Sequence, residues 1–222
     1  MAQVDLRNNE LAIKLVYYGP PLSGKTTNLQ QLHARVRDDC RGRLMMLDTR
    51  DDRTLFFDLL PIFFRAANLS LRVKVYTVPG QPLHAATRRV VLQGADGVAF
   101  VADSAADKAD ANEAAFGDLR ANLARVGLSA DDTPVVLQFN KRDLPDAIAD
   151  DEVDRVAARW ALPVVRASAV RGEGVVDTLL ALVGRTWDAL DAEADLSRRF
   201  GLSTGDLVAE LGENVLGVRE GA

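Results

Sequence analysis

The chain has 222 residues, 48% hydrophobic and 27% charged, with one cysteine and a formal net charge of −5. That length suits one α/β core with a modest appendage, and no window reaches the ~18 consecutive apolar residues of a membrane-spanning helix. The charge sits almost wholly in residues 188–222, where eight acids face three arginines; no basic stripe for nucleic acid exists anywhere, and the acidic end would be repelled by anionic lipid.

In chain order, the first residues lack an apolar signal core and lack glycine at position 2, so neither a leader nor a myristoyl anchor is expected. Strand-like segments then recur at residues 11–18, 44–47, 71–78, 98–102, 135–140 and 163–167, with helical periodicity between them. Such alternation predicts an α/β fold with a mostly parallel central sheet and helices on both faces. Residues 98–102 and 135–139 are nearly continuous apolar runs, as central strands covered on both sides should be. Residues 71–76 alternate apolar and polar, which predicts an edge strand. Ahead of that strand, and after the helix that follows residues 11–18, residues 48–70 read as a loop in which Arg50-Asp51-Asp52-Arg53-Thr54 runs into Leu55-Phe56-Phe57-Asp58, an unusual composition for an inert connection. Beyond Gly174 a long helix is expected, running through Trp187 and on toward Phe200, with Gly201 as its stop. Ser203-Thr204-Gly205-Asp206 fits the capping pattern S-x-x-[DE] and opens a short helix over 207–211. Cys40 is alone, so no intramolecular disulfide forms and a reducing cytoplasm is the natural compartment. The C-terminus offers no cysteine to prenylate.

The stretch Gly19-Pro20-Pro21-Leu22-Ser23-Gly24-Lys25-Thr26 fits G-x-x-x-x-G-K-[ST], between a predicted strand and a predicted helix. Consecutive backbone N–H groups of such a loop cradle phosphate oxygens, the lysine adds a point charge, and the threonine hydroxyl reaches Mg²⁺. Phosphate contacts are therefore assigned to Gly19, Pro20, Pro21, Leu22, Ser23, Gly24, Lys25, Thr26 and Thr27, with Thr26 as a metal ligand. The loop alone leaves ATP and GTP, kinase and switch, equally open. Asn140-Lys141-Arg142-Asp143 discriminates between them, because a carboxylate accepts two hydrogen bonds from the N1–H and NH₂ of guanine and meets a lone pair on adenine. Asp143 thus selects guanine, the Lys141 stem lies along the base, and Asn140 ties this loop to the phosphate loop. Ser168 and Ala169 complete the pocket if the Ala169 N–H donates to the guanine carbonyl.

With these motifs together the chain resembles Ras-like small GTPases. Val16-Tyr17-Tyr18-Gly19-Pro20, Lys25-Thr26-Thr27-Asn28-Leu29-Gln30, Asp52 to Asp58, Tyr76-Thr77-Val78-Pro79-Gly80-Gln81 and Asn140 to Pro145 are similar to the MglA family of bacterial polarity and gliding-motility GTPases, over about residues 11–190. Small GTPases generally carry aspartate where Thr77 stands, and the threonine looks like a hallmark of this family.

The resemblance implies a P-loop, Ras-like G domain over residues 1–190 that binds GTP or GDP with Mg²⁺, followed by an acidic, partly helical extension over 191–222. By the same resemblance Thr54 reaches Mg²⁺ and the γ-phosphate, Gly80 senses that phosphate through its N–H, Gln81 orients the attacking water, and Arg53 is an arginine finger supplied in cis. Asp58 is expected in the active-site region of the inactive form. The implied partner is a Roadblock-type MglB homodimer acting as GTPase-activating protein, docked over the switches and the expected edge at 71–76. The implied process is cell polarity or motility, in the cytoplasm or at a cell pole. Two departures stand out. Pro21 replaces the family's usual glycine and has no N–H, and Pro82-Leu83-His84-Ala85-Ala86 replaces the aromatic and acidic residues usual after the switch glutamine. His33 and His84 are expected to be surface residues. A second reading, a nucleotide-locked adaptor with little hydrolysis, follows from Pro21.

Overall fold

A computed structural model describes residues 2–47, 57–80 and 85–217. Eight strands among these residues form one sheet in the order β3-β4-β5-β2-β6-β7-β8, with β1 (Gln3–Asp5) paired to the start of β2. The strands are β2 (Glu10–Tyr18), β3 (Met45–Leu47), β4 (Phe57–Ala66), β5 (Leu69–Thr77), β6 (Gly97–Asp103), β7 (Val135–Asn140) and β8 (Val164–Arg166). Pairings β5-β2, β2-β6, β6-β7 and β7-β8 are parallel, whereas β1-β2, β3-β4 and β4-β5 are antiparallel. The expected mostly parallel α/β sheet is therefore present.

Both faces are covered because successive strand side chains point in opposite directions. On β2, Leu11, Ile13, Leu15 and Tyr17 pack with Leu29 and Leu32 of α1 (Lys25–Arg35) and with Leu179, Leu182 and Val183 of α5 (Val175–Ala194). Its alternate residues Val16 and Tyr18 pack with Val91 of α2 (Ala85–Leu92), Leu119 and Leu123 of α3 (Ala109–Arg125) and Val153 of α4 (Asp150–Trp160). All of β6 and β7 is buried, as their apolar runs predict. Asp103 and Asn140 lie side by side in register at the carboxyl ends of these strands, so the sheet delivers two polar residues to one rim.

Three expectations need correction. Residues 57–66 form a ten-residue strand instead of continuing the loop, and turn tightly back into β5. Pro61 is tolerated there because its ring side faces outward: its carbonyl accepts from the Gly42 N–H and the Phe63 N–H donates to the Cys40 carbonyl, so no ladder bond to β5 is lost. β5 in turn is not an edge but lies between β4 and β2. Its alternation reports one-sided burial, since Leu69, Leu71, Val73 and Val75 face the core while Ser70, Arg72, Lys74 and Tyr76 are more open. Finally, the long helix ends at Ala194, because Asp195 adopts φ 53 and starts the separate α6 (Leu196–Phe200), which stops at Gly201 with φ 61.

The chain beyond α5 folds back on the body. Ser203 and Asp206 make the predicted capping box at the head of α7 (Thr204–Glu210), which starts three residues earlier than expected. Gly184 of α5 lets α7 approach, since a Cβ there would stand 3.3 Å from Val208. Leu196, Phe200, Leu202, Leu207, Leu211, Val215 and Leu216 join the same buried cluster as Leu29 and Leu182, and the Arg37 N–H donates to the Val215 carbonyl at 3.0 Å. Truncating fully buried Leu211 (0% exposed) to alanine should therefore cost about 2–5 kcal/mol. In thermal unfolding Leu211→Ala is expected to melt well below the parent, and Glu213→Ala on the exposed side of the same turn within a degree or two of it.

Candidate nucleotide-binding site

The phosphate loop joins β2 to α1 at the rim that carries Asp103 and Asn140. Gly19 holds φ 149 and a Cβ on it would lie 2.2 Å from the Val101 carbonyl oxygen, so only glycine lets the loop leave the sheet here. Gly24 holds φ 98 and forms the N-cap of α1 without any side-chain cap, and the first turn contains no acid. The helix N-terminal N–H groups and the positive end of the dipole thus remain for an anion. Lys25 lies beneath the loop, its Nζ donating to the carbonyls of Gly19 (3.0 Å) and Pro20 (2.6 Å) and to Ser23 Oγ (3.4 Å). Burial pushes its amine down to about 7, the Arg88 guanidinium pushes the same way, and Asp58 opposes them. An arriving phosphate would add counter-charge beside this buried amine.

Asn140 ties the loops as expected. Its Nδ2 donates to the Ser23 carbonyl at 2.7 Å and its Oδ1 accepts from the Ala169 N–H at 2.8 Å. The Ala169 N–H, expected to face the base carbonyl, is therefore directed to Asn140. Asp143 Oδ1 accepts from Ser168 Oγ at 2.6 Å, and this bond holds its carboxyl below the usual range, so Asp143 is ionised and available as an acceptor. Lys141 has φ 68 and its Nζ pairs with Asp103 Oδ2 at 2.6 Å, which leaves its stem along the pocket wall. A cavity of about 180 Å³ is bounded by Leu22, Gly24, Thr27, Asn140, Lys141 and Asp143 among others, where the phosphate and base residues meet. A larger groove of about 790 Å³, lined by Glu10, Cys40, Arg65 and Arg72 among others, sits at the far end of the sheet and contains none of them.

Asp103 escaped the sequence reading. It closes an apolar run, is only 3% exposed, and besides Lys141 it accepts from the Ala105 N–H at 3.1 Å; an acid at the carboxyl end of a buried strand was the available signal. Arg53, Thr54, Gln81 and His84 lie outside the described residues. Gly80 is described: a Cβ on it would come within 2.5 Å of Pro21 N and 2.6 Å of Pro21 Cα, so its backbone rests directly on Pro20-Pro21. Asp58 lies on β4, and its Oδ2 accepts from Thr26 Oγ1 at 2.7 Å and from Thr77 Oγ1 at 2.9 Å. The Asp58 N–H completes the pairing by donating to Thr77 Oγ1 at 3.0 Å. Hard divalent cations take oxygen donors and keep several waters; the exposed Thr26 hydroxyl beside a carboxylate oxygen offers that donor type, and Thr26 is the residue here that would hold Mg²⁺.

The chain is 42% identical over 183 residues, 82% of its length and 94% of the relative's, to Mutual gliding-motility protein MglA of Myxococcus xanthus (strain DK1622). It belongs to the MglA family of Ras-like P-loop GTPases. No family model matches it. Thr77 acquires a physical role here, since its hydroxyl both donates to and accepts from Asp58, which an aspartate at that position could not do without facing a second carboxylate. Among the described residues no helix is long and apolar enough to cross a membrane.

Because Asp103 orients Lys141 through a charge-assisted bond, Asp103→Asn should weaken guanine-nucleotide binding by about 10- to 100-fold. Titration calorimetry with GDP checks this, and unchanged affinity would remove Asp103 from the site.

Proposed function

We propose that this protein is a small GTP-binding switch that binds GDP and GTP with Mg²⁺, hydrolyses GTP slowly unless a partner stimulates it, and controls bacterial cell polarity or motility. The observation that carries the reading is the meeting of an uncapped phosphate loop and the Lys141–Asp143 base loop at one cavity, held together by Asn140. Lysine charge, helix N–H groups and the Thr26 hydroxyl bind and orient the polyphosphate, while Asp143 reads the guanine edge. Thr26 and Thr54 would hold Mg²⁺, which when bound would supply charge neutralisation at the phosphates. Arg53, Thr54 and Gln81 are proposed for the catalytic step, with Gly80 reporting the γ-phosphate. The Asp58 carboxylate on Thr26 and the Gly80 backbone on Pro21 fit the off state, since both must move before a γ-phosphate and its metal ion are accommodated. The expected partner is a Roadblock-type MglB homodimer placed over residues 48–70 and 77–86; with β5 interior, the outermost strand on that side among the described residues is β3. The protein is proposed to act in the cytoplasm and to be recruited to a pole.

One observation favours a second reading, a nucleotide-locked adaptor. Pro21 lacks the N–H of the family's glycine and its backbone is packed against Gly80, removing one preorganised donor near the reacting phosphate. Phosphate release from GTP-loaded protein, with and without a Roadblock partner, separates the two: stimulation supports the switch, and none at saturating partner supports the adaptor. Pro21→Gly is expected to raise intrinsic release on the order of tenfold to a hundredfold. Asp143→Asn should reduce the preference for GDP over ADP by about 100-fold or more; a parent protein that binds both equally would overturn the guanine reading.

A further inference from the structure

Beneath Asn140 lies a second polar connection between the same three parts of the chain. Asn28, Gln138 and Thr178 are each 0% exposed, inside the core between α1, β7 and α5. Asn28 Nδ2 donates to Gln138 Oε1 and Gln138 Nε2 donates back to Asn28 Oδ1, both at 2.9 Å. The remaining Asn28 amide hydrogen goes to the Gly24 carbonyl at 3.0 Å, and the remaining Gln138 one to Thr178 Oγ1 at 2.7 Å. Thr178 in turn donates to the Gly174 carbonyl at 2.7 Å. Every amide hydrogen and both amide oxygens are used, so the network is closed and directional.

Each end of the network leads into a nucleotide loop. Gly24 closes the phosphate loop; Gln138 stands two residues before Asn140 on β7; Gly174 follows the Ser168–Ala169 loop and opens α5. Apolar packing alone would tolerate small sliding of α1 and α5 over the sheet, whereas paired amides accept one register only. We propose that Asn28, Gln138 and Thr178 are positioning residues that fix the spacing between the phosphate loop and the base loop, so that affinity for a ligand spanning both depends on them. This rests on the guanine-nucleotide reading above and extends it below the first layer of contacts.

The test is the double variant Asn28→Leu/Gln138→Met, which removes the amide pair without leaving a buried polar group unpaired: Thr178 still donates to Gly174, and the residue 28 N–H still donates to the Gly24 carbonyl at 2.9 Å. Affinity for Mg²⁺-GDP, which spans both loops, is compared with that for Mg²⁺-pyrophosphate, which touches the phosphate loop alone. GDP affinity is expected to fall about tenfold or more while pyrophosphate affinity stays within about twofold, and the exchanged pair Asn28→Gln/Gln138→Asn to recover most of the loss. Thr178→Val, nearly isosteric, provides the same comparison should the double variant fail to fold. Parental GDP affinity in the folded variant, or an equal fall for both ligands, overturns the positioning role and leaves guanine binding standing. A parent protein that does not bind GDP overturns the reading of the site and the positioning role together.

Discussion

The carboxamide of Asn140 donates to the Ser23 carbonyl and accepts from the Ala169 N–H, so one side chain holds loops from three distant parts of the sequence. Its position leaves no room for anything larger than hydrogen on Gly24, whose Cβ would meet Nδ2 at 2.1 Å. The glycine that permits φ 98 at the helix start is therefore also the glycine that permits the tie. Burial raises the stakes, because an amide this enclosed that lost a partner would leave a donor or acceptor unpaired at a cost of about 1–3 kcal/mol. Register between β6 and β7 then places Asp103 beside Asn140, from which Lys141 takes its orientation. The base side of the site is thus built outward from one buried strand end.

The Thr26 side of the site obeys a different constraint. Thr26 sits on the helix that follows the loop, Asp58 on an antiparallel strand and Thr77 at the end of the adjacent one, and a single carboxylate oxygen joins them. The Phe57 ring lies 5.7 Å from that of Tyr76 beside this junction, and its oxygen atoms are of the kind a hard cation and its waters take. Gly80 lies on Pro20-Pro21 close by. The Asn140 half of the site stands on fully buried parallel strands, whereas Phe57 to Leu59 at the start of β4 are only half-buried.

Residues 196–216 contribute seven side chains to the cluster that α1 and α5 share. The acids of this segment stay outside while its leucines turn in, the ordinary amphipathic arrangement of a docked helix. Closing over the far end of α1, where the Arg37 N–H donates to the Val215 carbonyl, it braces the helix that Gly24 opens.

The sequence by itself determined the parallel core, the glycines of the loop before α1, the capping box at Ser203 and the placing of Asn140 to Asp143 at the end of a buried strand, because each depends on a local rule: a continuous apolar run, a glycine where φ must be positive, a donor and acceptor at fixed spacing. Only the tertiary structure decided the rest. The alternation of β5 looks the same in an edge strand and in an interior strand with one open face, and the difference lies in β4, hidden by Pro61 and by an aromatic stretch that reads as loop. Gln138 interrupts an apolar run with no stated reason until Asn28 and Thr178 arrive from residues 110 and 40 positions away. Asp103 and Asp58 are two acids among many in the sequence; burial beside Lys141 singles out the first and the hydroxyls of Thr26 and Thr77 the second. Hydrogen bonds between residues far apart in the chain leave no periodic trace, so their partners emerge only when the sheet brings the strand ends together.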